Sequence, residues 1–226
     1  MTRLELLAEL RSVLADTIGP RYGWSDDRLM NFLSEGQDKF CEQAGYWLDR
    51  TTYTIVTEAN KLDYTLNPRI IEVIAVRDGV RKLIEYGEES FANNNTDPSF
   101  AATAPQRPQF YRLDGGTGML SLLSPPEAGI TLNLRVHRYS LVAFNTKNAS
   151  NQYTVETPEI PSRFHLAMVE YAAAKAFGDH DRELQDPVKA ADHMRNFRRY
   201  ISEGGEAFRR LTKSHTEITG TPEYVV

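Results

Sequence analysis

Apolar positions along the first fifty residues recur every three or four places, the period of a helix with one buried face. Leu4, Leu7, Leu10, Leu14 and Ile18 form the first stripe, opened by Thr2 and Glu5 at capping-box spacing and closed by Gly19-Pro20. A second stripe runs through Leu29, Phe32, Leu33, Gly36, Phe40, Ala44 and Trp47. Ser25 supplies its N-cap, and Asp26 and Asp27 place negative charge on the positive end of the helix dipole. Trp24 and Leu29 have the spacing of a hydrophobic staple, and Gly36 on the stripe predicts a close approach of two helices. Neither stripe can be hidden by these two helices alone.

From Thr51 the period shortens to two, the signature of strands. Tyr53 and Ile55, then Leu62, Tyr64 and Leu66, alternate with polar residues. Ile71 to Val76 forms a third strand, and Asp78-Gly79 predicts a hairpin into a strand over Val80 to Tyr86. Further strands are predicted at Phe110–Leu113, Met119–Leu123 and Ile130–Tyr139, with turns at Asp114–Gly118 and Ser124–Gly129. Ser90 to Pro108 and Asn145 to Pro161 lack periodicity and are expected as long loops that mediate contacts or stay mobile.

Helical patterning returns at Ser162, with Phe164, Met168, Tyr171 and Ala172 on one face and small residues to Ala176. Asp186-Pro187 is an N-cap followed by proline at the first helical position. A long stripe then runs from Val188 through Ala191, Met194, Phe197, Ile201 and Phe208 to Leu211, and Gly204-Gly205 within it predicts a kink or break. The expected architecture is α+β: an antiparallel helical bundle of two N-terminal and two C-terminal helices with an inserted antiparallel β-sandwich or barrel. Residues 1–50 and 158–211 are assigned to the bundle, 51–157 to the β insertion and 212–226 to an extended C-terminal arm.

Composition narrows the function. Hydrophobic residues make up 41% and charged residues 25%, ordinary for a soluble globular chain. Acids near the N-terminus and the absence of a long apolar run predict a protein made in the cytoplasm without a membrane span. One cysteine, Cys41, excludes an internal disulfide and a cysteine-based metal cluster. It lies beside the apolar stripe of helix two, as a buried structural thiol would. A net charge of −5 argues against one broad nucleic-acid-binding face. Charge is nevertheless uneven: Asp186 to Lys213 carries seven Lys/Arg against four Asp/Glu. Arg195, Arg198, Arg199, Arg209, Arg210 and Lys213 are candidate contacts to DNA or an acidic partner, with a solvated helix face as the favoured plain reading.

Catalytic patterns are weak. Asp114-Gly115-Gly116-Thr117-Gly118 joins two strands and opens no helix, so a hairpin turn is favoured over a phosphate loop. Asp179-His180-Asp181, with His165 and His193, is the sharpest metal candidate, but a solvated, charged inter-helix connection is strongly favoured over it. His137 sits in a strand between Val136 and Arg138 with no ligand set nearby. Phe110, Tyr111 and Tyr139 could form a stacking platform but are expected to fill the sheet core or its rim. No cofactor, catalytic residue or resident metal is assigned. A metal-dependent phosphohydrolase would lose turnover on His180→Ala, and a carbohydrate-binding module would bind glycans as a monomer.

Several stretches in order carry a family resemblance. They are Trp24-Ser25-Asp26-Asp27-Arg28-Leu29; Thr57 through Tyr64 with Leu66, Pro68, Ile71, Val73, Val76 and Gly79; Pro108-Gln109-Phe110-Tyr111; Leu120-Ser121-Leu122 with Pro125-Pro126; and Ile160-Pro161 before the helix with His165. Together they resemble the head-to-tail adaptor (connector) proteins of tailed phages, including the tail tubular protein A group of short-tailed phages. Asn60 stands where a glycine turn is common in that pattern, and Asn67 separates Leu66 from Pro68. The resemblance implies a structural virion protein of the neck or tail, assembled in the host cytoplasm. It would form a homo-oligomeric ring, typically a dodecamer, below the portal protein, extend the DNA channel, touch genomic DNA transiently and dock the tail nozzle. A tail-tube or neck component without portal contact is the alternative.

Ile218, Tyr224, Val225 and Val226 are the expected anchors of an arm on the portal or a neighbouring subunit, with a fraying terminus as the plain alternative. Deleting Thr216 to Val226 is expected to weaken attachment to the portal in a pull-down; unchanged capture would remove the arm's role.

Overall fold

The computed structural model describes residues 1–16, 23–45, 48–86, 105–114, 117–179 and 185–216, with side chains of the last helix described to residue 210. The described residues form a mixed α+β fold with four α-helices, α1 (Arg3–Val13), α2 (Asp26–Ala44), α3 (His165–Gly178) and α4 (Pro187–Thr216). Two sheets lie between α2 and α3 in chain order. The chain divides into two compact units, Met1–Tyr46 with Ser140–Val226, and Trp47–Tyr139.

The helices begin where local chemistry dictates. The Thr2 hydroxyl accepts the Glu5 amide while the Glu5 carboxylate accepts the Thr2 amide, closing the capping box. Ser25 accepts the Arg28 amide at the start of α2, and Gly45 ends that helix in the left-handed region at φ 60°. Asp186 accepts the amides of Val188 and Lys189 at the head of α4. A short 3-10 turn, Ser162–Phe164, leads into α3.

Helix α3 is the centre of the first unit. Ala167, Met168, Val169, Ala172, Ala173, Ala174, Ala176 and Phe177 are all buried, and α1, α2 and α4 each pack against it. The approach to α2 is close at Gly36, as the stripe predicted: a Cβ there would stand 3.2 Å from the Met168 backbone and from Tyr171 Cβ. The buried face of α1 is Leu6, Leu10 and Arg11 rather than the Leu4–Leu7 line, and Leu4 is 64% exposed. The stripe misleads because Arg11 turns inward to an ion pair with Asp16 at 2.7 Å and to Asp26.

The break predicted at Gly204-Gly205 does not occur; α4 runs unbroken through both. Gly204 is small for contact, not for flexibility. A Cβ on it would stand 2.8 Å from Phe40 Cζ and 3.2 Å from Ala44 Cβ of α2.

Among the described residues of the second unit nine strands form two sheets: β1 (Leu48–Asp49), β2 (Thr54–Val56), β3 (Asp63–Thr65), β4 (Ile70–Asp78), β5 (Arg81–Lys82), β6 (Ile84–Glu85), β7 (Phe110–Asp114), β8 (Met119–Leu122) and β9 (Thr131–Arg138). One sheet has the order β1-β9-β4-β5, with β2 also on β9; the other has the order β3-β8-β7-β6. Both retain edges, so neither closes into the barrel offered above as one option. The expectation of purely antiparallel pairing is also corrected. Strand β6 runs parallel to β7, since the long connection from 86 to 109 permits a crossover that a tight hairpin does not.

The single strand predicted over Val80–Tyr86 is two strands in different sheets. Leu83, 1% exposed, is the corner between them and donates its amide to the Val76 carbonyl at 2.9 Å. Buried residues of both sheets, among them Tyr64, Val76, Tyr111, Leu120, Leu132, Leu134 and Val136, form one apolar cluster. The predicted turns hold: Gly79 at φ 59° lies between Asp78 and Arg81, and Gly118 at φ 63° donates to the Asp114 carbonyl.

Residues 140–157, assigned from the sequence to the β insertion, group instead with the helices. Most of Ser90–Pro108 lies outside the described residues.

The two adjacent glycines of α4 yield a paired prediction. Gly205→Ala gains helix propensity with only the Ala44 carbonyl oxygen nearby, at 3.8 Å, and is expected to stabilise by up to about 1 kcal/mol. Gly204→Ala gains the same propensity but forces fully buried Phe40 aside, so a net loss of roughly 1–2 kcal/mol is expected. Urea unfolding midpoints of the two variants check the opposite signs.

Candidate assembly surfaces

The segment after the β unit is held to the helices by polar contacts. Asp27, in the first turn of α2, receives the Lys147 ammonium at 2.7 Å and the Tyr153 hydroxyl at 2.6 Å. The Lys147 hydrogen bond is the main reason the Asp27 carboxyl is held below the usual range, with Tyr153 second. Burial first, and the Asp27 carboxylate second, push the Tyr153 hydroxyl well above a free tyrosine. Asn145 donates to Asn31 at 2.7 Å, and Arg3 donates to the Tyr153 carbonyl at 3.2 Å. A bridge between Lys147 and Tyr153, turning through Asn151 at φ 61°, gives the segment its shape. The loop expected over Asn145–Pro161 is thus a hydrogen-bonded part of the helical unit.

The outward face of α4 is charged. Arg195, Arg198, Arg199, Arg209 and Arg210 are all exposed, and the helix period brings them to one side. Much of this charge is locally matched: Arg195 pairs with Asp192 at 3.1 Å, Arg199 with Glu203 at 3.9 Å and Arg210 with Glu206 at 3.7 Å. Lys213 belongs to the last turns of the same helix, while Ile218, Tyr224, Val225 and Val226 lie outside the described residues. The opposite face is committed to packing. His193 Nδ1 hydrogen-bonds the Glu170 carboxylate at 2.7 Å and its ring stacks on Phe177, and Phe197 meets Tyr171 edge-on.

The metal candidates are dispersed among such contacts. His165 is buried, its Nε2 2.8 Å from the Ile160 carbonyl and its Nδ1 2.8 Å from the Met1 amino group. Burial is the chief cause of its lowered pKa. Asp179 pairs with Arg28, and His180 and Asp181 lie outside the described residues. Among the described residues no three His, Cys, Asp or Glu side chains gather as a metal would require. Cys41 is buried in α2.

Of the three aromatics, Tyr111 is in the β core, Phe110 meets Tyr86 edge-on, and Tyr139 carries the Arg69 guanidinium on its face. They fill core and rim as expected.

Periodicity alone could not show what cross-strand pairing brings together. A cavity of about 660 Å³ opens between residues 65–73 and the β7–β8 hairpin, with Leu66, Pro68, Ile71, Leu113 and Met119 among its lining. At the ends of the insertion, Asp49 and Arg138 form a buried ion pair at 2.7 Å. Burial alone would push the Asp49 carboxyl up. Hydrogen bonds from Thr52, from the Thr51 amide and from Arg138 outweigh it and hold the group well below the usual carboxylate range.

The described residues thus present a mixed α+β fold with a charged outward face on α4 and sheets that end in edge strands. The SU10 adaptor protein family model matches residues 1–217, and the chain belongs to that family, a phage head-to-tail adaptor family. The family is structural, not a class of enzymes. No curated protein matches the chain. Among the described residues no helix is long and apolar enough to cross a membrane.

The Asp49–Arg138 pair gives a prediction with a defined pH sign. The folded carboxyl sits below its unfolded value of about 3.9, so its stabilisation is complete above that pH and is lost as pH falls through the folded value. Arg138→Met is expected to cost about 3 kcal/mol or more at neutral pH, because it strands a buried carboxylate. Asp49→Asn is expected to flatten the stability loss below about pH 4. Denaturant titrations between pH 3 and 7 check both.

Proposed function

We propose that this chain is one subunit of a closed homo-oligomeric ring of twelve copies in the phage neck. In this reading the ring sits beneath the portal, continues the DNA channel and presents its far face to the tail nozzle. Assembly takes place in the host cytoplasm. The observation that carries the reading is the family match across residues 1–217.

The geometry supports it in two ways. A ring repeats one heterologous contact until rotation closes it, which requires two different surfaces on each copy. The charged face of α4 and the edge strands β3, β5 and β6 of the insertion are two such surfaces. Sheet edges can accept an extended segment from another chain by main-chain hydrogen bonds, the role we assign to residues 217–226, because α4 continues to Thr216 where an extended arm from 212 was expected. We read the helices as an antiparallel bundle and the two sheets as an inserted sandwich, the bundle taking the ring contacts.

Genome contact in this reading is brief. Arg195, Arg198, Arg199, Arg209, Arg210 and Lys213 meet DNA or an acidic partner. The Asp192, Glu203 and Glu206 carboxylates beside them keep that attraction low, since each unneutralised cation adds salt-dependent affinity for phosphate.

Negative-stain microscopy of the purified chain, alone and with portal, tests the proposal. Rings with a central hole, seated coaxially on portal when it is present, are expected. A chain that remains monomeric in the presence of portal, or rings that ignore it, would overturn the portal-docking role.

A further inference from the structure

The outer face of the larger sheet carries a cluster that the adaptor reading does not use. On β9 the residues Leu132, Leu134 and Val136 point into the core, so Asn133, Arg135 and His137 occupy the other face. Arg135 stands on this central strand opposite Ala75 of β4, and two residues along β4 lies Arg77, opposite Asn133. On the other side of β9, Asp49 of β1 pairs with Val136, which brings the next residue, Arg50, beside Arg135. Arg50, Arg77, Arg135 and Asn133 line one cavity of about 250 Å³.

Among the described residues nothing neutralises the three guanidinium groups. Arg135 Nε is buried with no acceptor, and among the described residues no carboxylate pairs with Arg50, Arg77 or Arg135. Glu72 of β4 is opposite His137 and pairs with it at 3.3 Å. Burial first, then repulsion from Arg50 and Arg77, lowers the pKa of the Arg135 guanidinium. Like charges on adjacent strands destabilise a sheet, and an unpaired buried donor adds a further cost. Elsewhere Arg11, Arg28, Arg107 and Arg138 each have an acid partner. Three arginines and an asparagine amide around a concavity of this size present convergent donors to a tetrahedral anion, whose oxygens accept forked guanidinium bonds.

We infer that Arg50, Arg77 and Arg135 form a binding site for a phosphate group, either the free ion or a phosphodiester of a nucleic-acid backbone. The bound group supplies the missing acceptor for Arg135 and cancels the repulsion among the three cations. The inference goes beyond the adaptor reading and does not depend on ring formation.

The full-length chain is compared with the double variant Arg50→Gln/Arg77→Gln, both exposed positions, so that the fold is preserved. Melting temperature is read in phosphate, acetate and chloride at one ionic strength, and phosphate affinity by calorimetry. In the parent chain phosphate is expected to raise the melting temperature above the chloride value. The double variant is expected to lose that rise, to melt no lower than the parent in chloride, and to bind phosphate at least about tenfold more weakly, the effect of one lost charge-assisted contact. A labelled 20-base-pair duplex, followed by anisotropy across a salt series, separates the sources. A salt slope reduced by about 2 in the variant assigns the site to a phosphodiester. An unchanged slope together with lost phosphate binding assigns it to the free ion. Equal phosphate responses in the two proteins, no response in either, or a stronger response to acetate would overturn the site.

Discussion

A helix without a polar face cannot stand at a surface, and that requirement organises the first unit. Helix α3 buries residues around most of its circumference, from His165 and Ala167 to Ala176 and Phe177. It must be enclosed on several sides. The chain supplies the enclosure from both directions: α1 and α2 precede the β unit, and α4 follows α3. Small residues make the enclosure tight. Ala172 to Ala174 keep the surface of α3 low, while Gly36 and Gly204 let α2 meet α3 and α4 with no room for a Cβ. The beginning and end of the sequence are therefore one cooperative structure, although the β unit separates them along the chain.

Such an interruption is tolerable only if the inserted unit leaves and re-enters at nearby points. Pairing of β1 with β9 meets the condition, since Leu48 lies opposite His137 and Asp49 opposite Val136. The Asp49–Arg138 ion pair stands at that same place. A buried pair contributes little net stability once desolvation is counted, but removing one partner is costly. Its contribution is selection: a register slip of one residue in β1 would turn Asp49 to the opposite face and leave both charges unpaired. The chemistry at the base of the β unit thus fixes where its two ends lie.

Local signals in the sequence were legible because they act within one turn of chain. Thr2 with Glu5, Ser25 with the Arg28 amide, Asp186-Pro187 and the Gly79 turn all appear where the residues predict them. Errors arose where distant residues decided the outcome. Gly204-Gly205 reads as a breaker in isolation, yet Phe40 and Ala44 of α2 explain Gly204 as a contact. The stripe of α1 is displaced because Asp16 and Asp26 draw Arg11 inward. Residues 140–157 look unpatterned because their order comes from Asp27, Asn31 and Arg3, none of them local. Arg50, Arg77 and Arg135 are unremarked in the sequence, and only cross-strand register makes them neighbours.

The two basic surfaces of the chain differ in how their charge is matched, and this bears on what each can do. Along α4 Arg195, Arg199 and Arg210 have acids three or four residues away, so exposed pairs of modest strength form and re-form at little cost. A surface of that kind is suited to the rim of an interface, where charges set orientation and approach more than affinity. The β9 cluster has the opposite character. Its cations are crowded, one is partly desolvated, and among the described residues no carboxylate relieves them. Charge held apart from its complement within one polypeptide is relieved only by something from outside it. In an adaptor of net charge −5, the inferred anion site would thus be one small unmatched face, distinct from the locally matched arginines of α4.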